Sequence, residues 1–381
     1  MSAGALRRAA LGVAVFVLSA LTTAVTASAG TGWVIQHTPS PFDSSRGISD
    51  GFQAVSCTSP TACTAVGFRG GEGLAERWNG SAWAVQPTPP NSTRPGTPGF
   101  TGVSCVSTTC TAVGNTGGGT MVERWDGTRW SLQWTPTARK PLATLAGVSC
   151  TSNNACTAVG GVGGVGGAAL AERWNGTDWT VQSVPTPSGK TDAFLRGVSC
   201  TSSTACVAAG YSENSTVQNS ARSLIERWNG TTWTIQPIPQ PAHTVETELS
   251  GVSCGSTSAC TAVGSSTASS SPPGVTTLAE HWNGTAWTIQ PTPTQSTFEG
   301  LAGVSCFSTV TCIAVGYTPS AKTLTEVWDG YSWTIQTTPN PVGYGFSQLF
   351  GASCTSATAC TTVGKWNHNG PWTFTLAEQH S

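Results

Sequence analysis

Fourteen cysteines stand in seven close pairs along the 381-residue chain: Cys57/Cys63, Cys105/Cys110, Cys150/Cys156, Cys200/Cys206, Cys254/Cys260, Cys306/Cys312 and Cys354/Cys360. Two chemistries suit cysteines at such spacing. As thiolates they would take a soft metal, but thiolate sites want histidines or further cysteines, and the five histidines (37, 243, 281, 368 and 380) are scattered. As cystines each pair would close a short loop, contributing on the order of 2 kcal/mol in the chain-entropy model. No cysteine is left over, and the amino terminus reads as an export leader, so seven local disulfides are expected and no metal or cofactor.

The acids are the next candidates for chemistry. Seven glutamates recur at one position of a repeated phrase: Glu76, Glu123, Glu172, Glu226, Glu280, Glu326 and Glu378. Arg77, Arg124, Arg173 and Arg227 directly follow four of them. Because buried charges need partners, each repeated glutamate is expected to meet an arginine of a neighbouring repeat or a backbone N–H. Outside the phrase and its turns stand Asp43, Asp50, Glu72, Asp178, Asp192, Glu213, Glu246, Glu248 and Glu299. A glycosidase needs two carboxyl groups within about 10 Å, and spacing alone leaves open whether any two of these meet. No G-x-S-x-G, P-loop or H-E-x-x-H pattern occurs. Charged residues make up only 9% of the chain and the net charge is -1, which gives no basic surface for a phosphate backbone and argues against nucleic acid as a partner.

The elements that must position these residues repeat with the cysteines, every 45 to 54 residues, the period of a solenoid or propeller. In each unit GVSC, a Ser/Thr-rich turn and AC-TAVG read as two strands rich in Val and Thr. A Gly/Ser-rich loop follows, then LAERW, Asn-Gly and TxWTIQ, as in ERWNGTTWTIQ from Glu226, then a Pro-rich exit. Asn-Gly between strand-like runs predicts a type I′ hairpin with positive φ at both central positions. The two Trp that flank it, such as Trp228 and Trp233, are expected to pack together as scaffold. The unit is thus a four-stranded antiparallel meander. The last repeat stops at Ser381 without a fourth strand, whereas TGWVIQ from Thr31 is a fourth strand without its first three. Joining them closes a seven-bladed β-propeller, an all-β fold without open sheet edges. Residues 1–29 carry Arg7 and Arg8, the apolar run Ala9 to Leu21 and the small-residue site Ala27-Ser28-Ala29, the layout of a secretory signal peptide. The propeller is expected over 30–381, secreted, monomeric and without a stable membrane anchor.

Val-Gly at the end of strand two (Val66-Gly67, Val263-Gly264), Trp closing strand three (Trp78, Trp282) and Trp five residues on (Trp83, Trp287) resemble the kelch and galactose-oxidase-like propellers; the double Gly of that superfamily stands at Gly160-Gly161. The resemblance spans the chain after residue 29 and implies a propeller fold. In such a meander the disulfide and Asn-Gly turns share one face, and the loops from strand two to three and from blade to blade share the other. The distance from the second Cys to the strand-three Leu or Met varies from 11 to 18 residues, and variable loops on a constant scaffold are where recognition is built. Candidate ligand-binding residues on that face are Phe68, Tyr211, Glu213, Asn214, Tyr317, Trp366, Asn367, His368 and Trp372, aromatic rings and amides suited to sugar faces and hydroxyls. The expected function is a non-catalytic binding module for a glycan or cell-envelope polymer. The alternatives are a carbohydrate-active hydrolase or lyase using the remaining acids, and a protein-interaction platform.

Overall fold

A computed structural model describes residues 1, 32–39, 48–89, 99–164, 166–270, 272–294, 298–320, 322–343, 345–368 and 370–380. The leader, apart from Met1, lies outside the described residues, as do Asp43 and Thr31. Seven antiparallel four-stranded sheets form a ring, six of them sequential meanders and the seventh joining the two chain ends, and all described regular structure is strand. Blades are numbered here by their cysteine pairs. Blade 1 comprises Asp50–Ser59, Ala62–Arg69, Glu72–Trp78 and Trp83–Gln86. Blade 7 takes Ser347–Ser356, Ala359–Asn367 and Thr373–His380 from the carboxyl end and Trp33–Gln36 from the amino end. Trp33 lies opposite His380 and Gln36 opposite Ala377, so the ring closes as the two truncated ends require. Trp33 packs in one buried cluster with Leu376 and Leu349.

All seven cysteine pairs form disulfides within their own blades, because each pair occupies directly opposed positions of the inner hairpin, as Cys57 does to Cys63. The serine before each inner-strand cysteine joins the blades. The N–H of Cys57 donates to Oγ of Ser353, that of Cys105 to Ser56, and so on round the ring at 2.9–3.0 Å in all seven junctions. At the rim the second Trp of five blades donates its indole N–H to a Gln of the preceding blade, as in Trp83 to Gln36 and Trp179 to Gln133, whereas the buried Trp233 indole N–H has no partner among the described residues. Apolar contacts follow the same geometry. Leu195, Leu224 and Trp228 of blade 4 share a buried cluster with Val159 and Ala171 of blade 3. The core of this protein therefore lies between blades rather than within them.

The cystines do more than close their own hairpins. The second cysteine of every pair, Cys63, Cys110, Cys156, Cys206, Cys260, Cys312 and Cys360, is buried, at most 2% exposed. Alternation along strand two turns it toward the preceding blade, whose core it completes. Cys110 packs with Val66 and Ala75 of blade 1, Cys156 with Val113 and Val122 of blade 2, Cys312 with Val263 and Ala279 of blade 5, and Cys360 with Ile313 and Val315 of blade 6. A threonine hydroxyl of the preceding blade faces several of these sulfurs, Thr64 at 3.5 Å from Cys110, Thr111 at 3.7 Å from Cys156 and Thr261 at 3.5 Å from Cys312. The bridges are therefore part of the seams between blades as well as of their own hairpins.

The outer hairpin is the first of two corrections to the sequence expectations. It is a four-residue loop rather than a two-residue type I′ turn: Trp78 pairs with Trp83, and only Gly80 of the Asn-Gly dipeptide has positive φ (96°). The Asn79 side-chain carbonyl accepts the N–H groups of Ser81 and Ala82, so a side chain closes the loop. Asp126 does the same for Thr128 and Arg129, which explains why Asp replaces Asn in blade 2 without loss of the turn.

The second correction concerns the repeated glutamates. Alternation along strand three turns Glu toward the preceding blade and the following Arg toward the next one. Arg173 thus reaches the carbonyl of Ser203 and lies 4.9 Å over the Trp228 ring, away from Glu172. Glu76, Glu123, Glu226 and Glu280 are fully buried with no hydrogen-bond partner on either carboxyl oxygen among the described residues. Burial pushes all four up to about 8, so at neutral pH they stand between the blades as carboxylic acids.

This has a measurable consequence. An acid whose folded-state pKa is raised contributes stability that is fully present below its unfolded value of 4.5 and is lost as pH rises through about 8. The Tm should therefore fall as pH is raised from 5 to 8.5. Glu226→Gln, which mimics the neutral acid, should raise the Tm at pH 8, change it little at pH 5 and flatten the profile; an unchanged profile would place the charge elsewhere. Deleting residues 32–38 should expose the hydrogen-bonding edge of Thr373–His380, with a lower Tm and aggregation visible by light scattering.

Candidate functional site

Each inner strand carries a β-bulge at the same place, between the core Leu or Phe and the residue two positions later, such as Leu195/Gly197 or Phe52/Ala54. A bulge adds an unpaired residue and re-aims its side chain. Here the bulged residues are Gln53, Thr101, Ala146, Arg196, Ser250, Ala302 and Phe350, and all seven line a central channel of about 640 Å³. Two glycines make room for this in blade 4. A Cβ on Gly210, which faces the bulge across the hairpin, would fall 2.0 Å from the Phe194 carbonyl oxygen, and one on Gly197 would come within 3.1 Å of Gly251 Cα in the next blade.

The channel wall is uneven. Small or short polar residues fill the bulge in blades 2, 3, 5 and 6, while Gln53, Arg196 and Phe350 stand in blades 1, 4 and 7. Where blades 4 and 5 meet, Arg196 donates from Nη2 to Oε2 of Glu248 at 2.8 Å, and its guanidinium lies 5.0 Å over the Tyr211 ring. Tyr211 stacks on Phe194 at 6.2 Å between centroids, with 21° between the planes. Burial raises the Glu248 carboxyl above the usual range; Arg196 opposes this, while Glu246 and Glu213 add to it. Burial likewise raises the Tyr211 phenol, with Arg196 opposing. Three of the acids outside the repeated phrase, Glu213, Glu246 and Glu248, thus gather at one blade junction beside an aromatic pair. Chemically the arrangement offers a flat π surface, a fixed cation and carboxylate acceptors within one mouth.

Of the residues singled out from sequence, Tyr317 lines the channel and is 38% exposed, while Tyr211 packs against Phe194 and Arg196, which line it. Glu213 adjoins Tyr211 electrostatically, and its carbonyl receives the Thr191 N–H at 3.0 Å. The others lie apart. The Phe68 ring covers Gly51 and its stem adjoins Gly99 of the next blade. The Asn214 side chain accepts the Thr216 N–H and hydroxyl, closing its own turn. Trp366 packs on Phe374 at 5.0 Å. Asn367 accepts the Phe346 N–H at 2.7 Å and donates to the Gly370 carbonyl at 3.0 Å, a loop clamp. His368 is exposed beside Gly343, and Trp372 is 40% exposed. None of the disulfide cysteines lines the channel; Cys110, Cys156, Cys312 and Cys360 stay in the seams between blades.

Sequence reasoning missed Gln53, Arg196 and Phe350, and treated Glu248 only as a dispersed acid. A signal was present: the residue just before Gly-Val-Ser-Cys changes from Gln to Thr, Ala, Arg, Ser, Ala and Phe while its neighbours hardly change. A position that varies inside a fixed strand phrase is one the scaffold leaves free.

No family model and no curated protein matches the sequence. Solved structures do match in shape. YCF48 bound to D1 peptide superposes with a TM-score of 0.57 at 13% identity, covering 93% of this chain and 96% of its own. YCF48 from Cyanidioschyzon merolae gives 0.56 at 13%, covering 92% and 99%. A PL25 ulvan lyase, a polysaccharide lyase bound to -[GlcA(1-4)Rha3S]-, gives 0.53 at 9%, covering 83% and 93%. At these identities the chain shares with them a propeller fold and nothing finer.

Proposed function

We propose that this protein is an exported, non-catalytic binding module that takes a polysaccharide at the loop-face mouth of its central channel. The observation that carries the reading is the junction of blades 4 and 5, where the Phe194/Tyr211 pair stands beside the Arg196–Glu248 ion pair. Sugar rings stack on aromatic faces through their C–H groups, and their hydroxyls bond to paired charges and amides. In a chain this poor in charge, such a concentration at the mouth of a channel marks the place as different from the scaffold around it. The kelch-like spacing enters this proposal only as a repeat geometry, since the strand-two glycine it shares is the one that faces the inner-strand bulge. Export rests on the leader pattern of residues 1–29 together with seven disulfides.

A second reading is catalysis, favoured by the gathering of Glu213 and Glu246 around a Glu248 whose carboxyl is raised by burial. Binding is preferred because Glu248 is held by Arg196, an arrangement that fixes a carboxylate as an acceptor rather than freeing it to exchange protons. A peptide-binding platform is the remaining rival, as YCF48 is seen with a peptide on a similar fold.

The test is a glycan array followed by calorimetry on the best ligand. Tyr211→Ala and Arg196→Ala should each weaken binding about tenfold or more, a loss of roughly 1.4 kcal/mol, with little change in Tm. Release of new reducing ends or of unsaturated products on prolonged incubation would replace the binding reading with the catalytic one, and binding to peptides alone would replace it with the platform. Amino-terminal sequencing of the exported protein should begin at Gly30.

A further inference from the structure

Directly after the strand-two glycine, each blade places one residue near the loop-face mouth, and Ser265 and Tyr317 at this position line the channel. Six blades fill it with neutral residues: Phe68, Asn115, Gly161, Tyr211, Ser265 and Tyr317. Blade 7 fills it with Lys365, the one charge in the ring. Its ammonium lies 5.4 Å from the centroid of the Phe350 ring, which itself lines the channel, and 5.8 Å from that of Phe346. Its stem adjoins Gly51 of blade 1. Among the described residues no carboxylate makes an ion pair with it, whereas the other cation of the mouth, Arg196, is already matched by Glu248. Lys365 therefore stands as an unmatched positive charge on the blade 7 side of the mouth, separate from the blade 4–5 junction where Glu213, Glu246 and Glu248 gather round Arg196.

We infer that the polysaccharide bound at this mouth is acidic, and that the Lys365 ammonium pairs with one of its carboxylate groups. The inference rests on the binding reading above and adds the charge class of the ligand. A half-buried ammonium is desolvated at a cost, and here burial already lowers its pKa below the usual lysine value. Aromatic faces stabilise a cation without neutralising it, so the ammonium retains donors for an anion. An incoming carboxylate supplies the missing counter-charge and forms charge-assisted hydrogen bonds in a partly dehydrated site. A glycan suits the remaining wall, since hydroxyl-bearing side chains (Thr101, Thr144, Ser250, Ser265) and aromatic ones (Phe194, Tyr317, Phe350) both line it.

The experiment compares the full chain with Lys365→Met and Lys365→Arg by calorimetry at low ionic strength. The probes are a tetragalacturonate, its carboxyl-reduced neutral counterpart and an acidic tetrapeptide. Methionine keeps the apolar stem against Phe346 and Phe350, and the melting temperature of each variant is measured beside binding. The uronate should bind about tenfold more tightly than the neutral oligomer, the equivalent of about 1.4 kcal/mol. Lys365→Met should abolish that preference and Lys365→Arg should keep it. Should Lys365→Met unfold, titration of the Lys365 ε-methylene resonance in the parent decides instead: its pKa should rise when uronate is added. Equal affinity for both oligomers, an intact preference in Lys365→Met, or an unmoved resonance overturns the anion assignment while leaving glycan binding in place. Binding of the peptide but neither oligomer overturns both readings, and so does binding of none of the three.

Discussion

Around the axis of the ring, neighbouring inner strands approach until backbone meets backbone, and the rest of the molecule is arranged to allow it. A side chain at Gly303 would come within 2.5 Å of the Phe350 carbonyl oxygen, and Ala54 is the largest residue at this position in any blade. Such contact leaves no room for side chains between first strands. The bulge directs the preceding residue into the channel instead, and the strand-two glycine accommodates the displaced carbonyl across the hairpin. One steric requirement thus produces the recurring Gly-Val-Ser-Cys, the recurring Val-Gly and the ring of channel-facing residues.

Moving outward, the space between blades widens and larger groups enter. First come the serine hydroxyls that receive the next blade's cysteine N–H, then the shared Leu, Val and cystine cores, then the tilted Trp pairs and their bonds to Gln. Blades that share cores in this way are stable only as neighbours, which makes closure by Trp33–Gln36 a condition of the whole ring. The buried glutamic acids lie in the same gaps. They place a carboxyl group where apolar packing would also serve, and their cost grows with pH.

Because the scaffold is fixed by glycine, leucine and tryptophan positions, the bulged residue and the one after the strand-two glycine are free to differ. Arg196, Tyr211 and Lys365 all occupy such positions. Recognition can therefore change blade by blade without disturbing the core, a separation that propellers of unrelated sequence also permit.

The sequence by itself determined the period, the four strands of each blade, the local disulfides and the joining of the two chain ends. These follow from short-range pattern: opposed cysteines in one hairpin, period-two alternation and complementary truncation are all visible within a single repeat or at its ends. It did not determine which way Glu226 and Arg227 would turn relative to other blades, because an ion pair between repeats depends on faces that meet only once the ring forms. The burial of Cys110 or Cys360 against the preceding blade was hidden for the same reason. Nor did it reveal that a side chain, rather than a type I′ backbone, closes the Asn79 loop, since both devices favour Asn-Gly. The site was the least legible part. Phe68, Tyr211 and Tyr317 share one register, yet of the three Tyr317 alone lines the channel, and Arg196 looked like an ordinary strand residue until the bulge turned it to the axis. Tertiary structure decided these because a one-residue bulge reverses the facing of a side chain, and no local spacing records it.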